Sequence, residues 1–169
     1  MYINGKYWNN YIGDSDDSLS LIDYLANKQE ELITLEEIFA DLGLDNLDGD
    51  FRQAEEPITT SINIPEAGIE DLYVEFYYAI NIILDLAAMM LECKVNGSVD
   101  LSELSGGDLD SSASKIIIKS TPAEEAVIEE VLTDFAENPL EYDLSEMCDE
   151  EEMNEMAELC AELKEELFG

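Results

Sequence analysis

The side chains able to do chemistry in this sequence are almost all carboxylates. The 169-residue chain holds 42 Asp and Glu against 7 Lys and Arg, and it contains no His. Without His the commonest general base and metal ligand is missing, so Ser-His-Asp, Cys-His and His-based zinc sites are excluded. Neither a glycine-rich phosphate loop nor a Walker lysine is present. Carboxylate pairs alone can hydrolyse glycosides, but among 42 acids no pair stands out by its spacing. Two local patterns imitate sites. Asp14-Ser-Asp16-Asp17-Ser18 has the D-x-D-x-S/T spacing of a phosphatase nucleophile, which needs an apolar strand directly before it. Asn9-Asn-Tyr-Ile-Gly13 makes a poor strand, and the cluster reads instead as a turn and cap at a helix N-terminus, with Asp17 or Ser18 as N-cap. Asp45-Asn-Leu-Asp48-Gly-Asp50 hints at a calcium loop, yet the ligand spacing is absent and neither Glu55 nor Glu56 supplies the bidentate acid at loop position 12. The expectation is no catalytic residue, no metal and no cofactor.

The carboxylates instead act together as a field. A net charge of −35 costs stability through self-repulsion unless salt or function offsets it. Nucleic acid and membrane are not expected as partners, because both are held by Lys and Arg clusters that this chain lacks. A cationic protein is the natural complement, since opposite fields speed encounter and reject wrong partners. The plainer alternative is a halophile protein, or one kept soluble by surface acids. The acid is concentrated late in the chain: from Thr121 to Gly169 the only positive side chain is Lys164. There the apolar stripe Met153, Met156, Ala157, Cys160, Leu163 and Leu167 turns Glu151, Glu155, Glu158, Glu162 and Glu165 to the opposite face. Like charges three and four apart cost roughly 0.2–0.5 kcal/mol per pair, energy that interspersed lysines would have gained. Those five glutamates are the main candidate partner-binding residues. Asp14, Asp16 and Asp17 form a second cluster, and Asp45, Asp48 and Asp50 a third. Tyr7, Trp8 and Tyr11 are candidate aromatic anchors, with core packing the favoured reading for Trp8.

The elements that must position these groups are mostly helical. Residues 1–17 form an aromatic and Gly-rich segment feeding a helix with Leu19, Ile22, Leu25 and Ala26 at helical spacing. Thr34-Leu-Glu-Glu37 has the capping-box form; it opens a helix carrying Leu35, Ile38, Phe39 and Leu42 and stopped by Gly43. Residues 44–57 read as a loop, and Ile58–Ile64 as a strand. Leu72, Val74, Phe76 and Tyr78 alternate as a strand does, whereas Ile80, Ile83, Leu84, Ala87, Leu91 and Val95 follow helical spacing; strand then helix fits, and one long helix is the alternative. Residues 105–114 are a flexible connection. Lys115-Ile-Ile-Ile-Lys119 predicts a strand whose lysines suit a sheet edge. Thr121-Pro-Ala-Glu124 predicts a strong helix start, with Val127, Ile128, Val131, Leu132 and Phe135 facing inward. The last helix is capped by Asp149. The predicted fold is α+β, a predominantly helical single domain over 1–169, with about five helices, a small sheet of about three short strands, and an acidic helical C-terminal part over 121–169.

Cys93, Cys148 and Cys160 are too few and too scattered for a disulfide framework, which fits reduced thiols. Met1-Tyr-Ile-Asn-Gly-Lys-Tyr-Trp8 has no signal-peptide core, and the apolar run Ala79–Leu91 is broken by Asn81 and Asp85. The expected location is the cytoplasm.

The N-terminal stretch Met1-Tyr-Ile-Asn-Gly-Lys-Tyr-Trp-Asn-Asn-Tyr-Ile-Gly13 through Leu25 resembles small immunity proteins of bacterial polymorphic-toxin and contact-dependent-inhibition systems. Ala79-Ile-Asn-Ile-Ile-Leu-Asp-Leu-Ala-Ala88 and Asn138-Pro-Leu-Glu-Tyr-Asp-Leu-Ser-Glu-Met147 are similar in character. The resemblance implies a cytoplasmic, non-catalytic protein that binds the C-terminal domain of a cognate toxin, often a basic nuclease. It carries over no residue roles. The alternative function is a nucleic-acid mimic that inhibits a restriction or CRISPR-type nuclease, which would space its carboxylates like duplex phosphates.

Overall fold

A computed structural model describes residues 2–8, 11–13, 15–28, 31–44, 51–52, 58–64, 69–104 and 115–169, with backbone alone at 58–64 and 69–74. Its elements run α1 (Asp16–Lys28), β1 (Leu32–Thr34), α2 (Leu35–Leu42), β2 (Ile58–Ile64), β3 (Ile69–Phe76), α3 (Ala79–Asn96), β4 (Val99–Asp100), α4 (Leu101–Leu104), β5 (Lys115–Lys119), α5 (Pro122–Glu137) and α6 (Glu150–Phe168). Two 3-10 turns, Pro139–Glu141 and Asp143–Glu146, join α5 to α6. The fold is α+β and mostly helical. The five anticipated helices are present, and α4 adds a single turn too short to leave a periodic signal.

The core is built around α3. Ile80, Ile82, Ile83, Leu84, Leu86, Ala88 and Met89 are all buried, so this helix is apolar almost all round, as a helix enclosed by neighbours must be. It packs against α1, α5, α6 and the sheet. Val95, expected on its inner stripe, is instead half-exposed at the last turn. The Ile69–Asn96 stretch resolves into strand then helix: β3 pairs antiparallel with β2, Ile58 opposite Phe76, and a corner at Tyr77–Tyr78 turns the chain into α3.

The second sheet has the order β1-β5-β4, with β1 parallel and β4 antiparallel to β5. This corrects the edge placement expected for Lys115–Lys119. β5 is the central strand, and its lysines are tolerated because they sit at its ends, exposed, while Ile116 and Ile118 are buried. β1 and β4 are three and two residues long, too short for alternation to show, which is why the sequence indicated fewer strands.

The caps follow the side chains. The Thr34 hydroxyl accepts from Glu37 N–H at 3.2 Å, and Gly43 closes α2 at φ 73°. Asp149 accepts from Glu152 N–H at 2.8 Å to start α6. At α5 the Glu124 carboxylate accepts from the Thr121 N–H and hydroxyl; that hydroxyl bond, its largest influence, holds the carboxyl below its ordinary value. The start of α1 departs from expectation. Ser15, not Asp17 or Ser18, caps it, its hydroxyl accepting from Ser18 N–H at 3.1 Å. The buried face therefore falls on Ser18, Leu21, Ile22, Tyr24 and Leu25, and leaves Leu19 62 % exposed.

The N-terminal segment is folded into the body. Ile3, Tyr7, Trp8 and Ile12 are buried, and the Trp8 indole N–H donates to Leu104 O at 3.1 Å. Gly13 lies against the Trp8 ring at φ +83°, where any Cβ would stand 2.3 Å from the indole. Only glycine fits both the space and the backbone there.

Candidate partner-binding surface

On α6 the stripe Met153, Met156, Ala157, Cys160 and Leu163 is buried against the core, and Leu167 is partly buried. The helical period then leaves Glu151, Glu155, Glu158, Glu162 and Glu165 exposed, together with Glu150 and Glu152. Glu150, Glu151 and Glu152 occupy the first turn, where the helix dipole favours negative charge. An open depression of about 440 Å³ runs among Glu150, Glu151, Asn154, Glu155 and Glu158. Tyr11, half-exposed at φ 69°, donates its hydroxyl to Glu155. That bond first, and the nearby Glu152 and Glu151 charges after it, raise its phenol to about 12.

The acidic face extends onto α5, which packs beside α6. Glu129, Glu130 and Glu137 are exposed there, and a cleft of about 580 Å³ between the two helices is lined by Glu129, Glu137 and Glu165. The sequence reading did not single out these three. Their signal was available: they lie on the outward side of the Ile128, Val131, Leu132, Phe135 stripe.

Lys164 lines the same cleft, and four other cations are paired within the chain. Lys6 meets Glu166 at 2.8 Å, and Lys94 donates to the carbonyls of Glu166 and Leu167 at the end of α6, where the helix dipole favours positive charge. Lys28, largely buried, contacts Glu37 and Asp41. Arg52 grips Asp134 through two nitrogens and reaches Glu141 at 3.1 Å. Four of the seven cations are thus held by intramolecular partners.

The structure divides the other candidates. Asp16 is exposed on the first turn of α1. Asp17 is 3 % exposed, which removes it from any contact surface. One of its oxygens accepts from Tyr77 N–H at 2.8 Å; the other accepts from Tyr78 N–H at 2.9 Å and the Asn81 side-chain amide at 3.1 Å. A buried carboxylate must find such donors, and the corner before α3 supplies them. Asp14, Asp45, Asp48 and Asp50 lie outside the described residues. Of the aromatic candidates, Tyr7 and Trp8 are core residues and Tyr11 alone reaches the surface.

Among the described residues the carboxyls of Glu124, Asp134 and Glu166 are held below their ordinary values. Among the described residues no cluster of three or more His, Cys, Asp or Glu is arranged to hold a metal. No described helix is long and apolar enough to cross a membrane.

The sequence profile of a family described as Immunity protein 68 matches residues 2–167. The chain belongs to that family. Membership of Immunity protein 68 agrees with the resemblance seen in the N-terminal stretch, and the match extends through α6, so the acidic helix is part of the family domain. No match was found among curated proteins or among solved structures.

Proposed function

We propose that this immunity protein neutralises a cognate toxin domain of basic character, a nuclease, by laying the acidic α5–α6 face over the cationic surface that the toxin uses to hold nucleic acid. The reading includes action in the cytoplasm, no catalysis and no cofactor. One observation carries it: α6 presents Glu151, Glu155, Glu158, Glu162 and Glu165 to solvent with Lys164 the one cation on the helix, while four of the chain's seven cations are paired with other groups of the fold. Repulsion along that row costs stability, and an opposite surface converts the cost into attraction. Asp16 and the residues of the Asp45–Asp50 segment remain candidate contributors to the contact.

Carboxylate density disfavours the nucleic-acid mimic. The five glutamates spread over roughly 21 Å of axis at about 1.5 Å per residue, or about one charge per 5 Å. A single strand of duplex DNA carries about one per 3.4 Å.

The test pairs rescue with kinetics. A cognate toxin domain is expressed in a bacterial host with and without this chain, and binding of the two purified proteins is followed at several salt concentrations. Restored growth is expected, with an association rate that falls steeply as salt rises. Changing the five α6 glutamates to Gln together is expected to slow association at low salt by about tenfold or more and to flatten the salt dependence. Association indifferent to both changes would mean that the acidic face is not the contact.

A further inference from the structure

A second surface on this molecule combines exposed apolar side chains with acid, and none of the five α6 glutamates lines it. A groove of about 510 Å³ opens between the first turn of α1, the Tyr77–Tyr78 corner and the second 3-10 turn. Leu144, 5 % exposed, and the partly buried Cys148 and Tyr78 form its base. Tyr77, 49 % exposed, and Met147, 72 % exposed, stand at its rim. Singly exposed apolar residues need no explanation; two flanking one groove on a chain of charge −35 do.

Both rims are held in place. Asp17 fixes the Tyr77–Tyr78 backbone from below. The 3-10 segment is anchored by buried Tyr142, whose hydroxyl donates to Asp134 at 2.6 Å, and by Asp143 N–H donating to Arg52 O at 2.9 Å. The groove is therefore preformed, which lowers the ordering cost of binding.

Its charge is uniformly negative. Asp16 stands exposed beside it, the buried Asp17 lies beneath, and no Lys or Arg lines it. The Tyr77 phenol is raised by a hydrogen bond to Glu75 first and then by Asp16 and Asp17; the Tyr78 phenol is raised by burial first and then by Glu146, Asp17 and Asp143.

We propose that this groove is the anchor pocket of the toxin interface, and that its occupant is an arginine projecting from the toxin domain. An arginine stem packs on Met147 and Leu144, its planar guanidinium lies on the Tyr77 ring, and Asp16 supplies the counter-charge. A lysine ammonium is more strongly hydrated and matches a largely apolar groove less well. The inference rests on the immunity reading above and adds to it a division of labour: the α6 row steers the encounter, and the groove sets residence time.

Stopped-flow and surface-binding kinetics with the purified toxin domain separate the two parts. Tyr77→Ala with Met147→Ala is expected to speed dissociation at least tenfold with association nearly unchanged, the reverse of the α6 Gln variant. Met147→Lys, which places a cation at the rim without deleting packing, is expected to weaken binding at least as much. Leu32→Ala, an equally exposed apolar change on β1, should leave both rates alone. Replacing each toxin arginine by Ala should reveal one whose loss and that of Tyr77 are non-additive by fivefold or more. Wild-type dissociation from the Tyr77/Met147 variant, or no coupled arginine, overturns the groove and leaves the immunity reading standing. Failure of the wild-type chain to bind the toxin domain overturns both.

Discussion

Glu166 shows how single residues knit this chain's ends together. Its carboxylate accepts from the Tyr2 hydroxyl at 2.5 Å, from the Tyr7 hydroxyl and from Lys6, so the N-terminal segment is tied to the last turns of α6. Burial pushes the carboxyl up, but the bonds from Lys6, Tyr2 and Tyr7 prevail and hold it at about 2. A depressed folded pKa means that the stabilisation is complete above the unfolded value, near 4.5, and is lost as pH falls from there through about 2. Because the site is partly open to solvent, the contribution is roughly 1 kcal/mol or less. Denaturant titrations across that window should show Glu166→Gln losing less stability than wild type on acidification; parallel curves would rule the linkage out. Cys160, buried with its thiol near Leu132 O at 3.3 Å, is raised to about 12 by burial, so it acts as a small core side chain, as its place in the α6 stripe implies.

At the scale of elements, the decisive joint is between α1 and α3. Tyr78, the N-cap of α3, makes no side-chain cap bond, and Asp17 reaches across from α1 to accept the Tyr77 and Tyr78 N–H groups. One carboxylate thus orients two helices and the β3–α3 corner. Asp17→Ala is expected to cost about 2–3 kcal/mol, because several donors lose a charged acceptor together. Asp17→Asn, which keeps one carbonyl oxygen, should fall between. Equilibrium urea unfolding measures both, and a loss below about 0.5 kcal/mol would show that the joint is not structural. Glu37 illustrates the same competition in reverse. It stands at the N3 position of a capping box, yet its carboxylate goes to Lys28 at 2.6 Å, since a buried ammonium is the more demanding partner.

For the whole molecule, the governing quantity is the net charge of −35. With five glutamates in a row on the outer face of α6, further acids exposed on α5 and four of the seven cations already paired, the native state carries a repulsion that salt screens. Between 0.01 M and 1 M sodium chloride the Debye length shrinks from about 30 Å to about 3 Å. The melting temperature is expected to rise by about 5 °C or more over that range, followed by circular dichroism. A flat response would mean that the carboxylates are too well separated to repel, and would weaken the case for a pre-stressed binding face. The same field that destabilises the free protein speeds its capture of a cationic partner.

Local rules were enough to read α2, α5 and α6 from the sequence, because Thr34, Pro122 and Asp149 mark their starts and each apolar stripe repeats every three or four residues. The outward set on α6 followed from the same arithmetic: once Met153, Met156, Cys160 and Leu163 face in, Glu151, Glu155, Glu158, Glu162 and Glu165 must face out. The absence of His and the excess of acid made binding the expectation before any contact was visible. Only the tertiary structure decided that Asp17 is buried while Asp16 is not, because its three donors lie some 60 residues away on another element. It also decided that Trp8 is core, that β5 is flanked on both sides, and that Tyr77 and Met147 share a groove. Spacing along one chain fixes which residues share a face of a helix; burial and company depend on what the rest of the chain brings to that face.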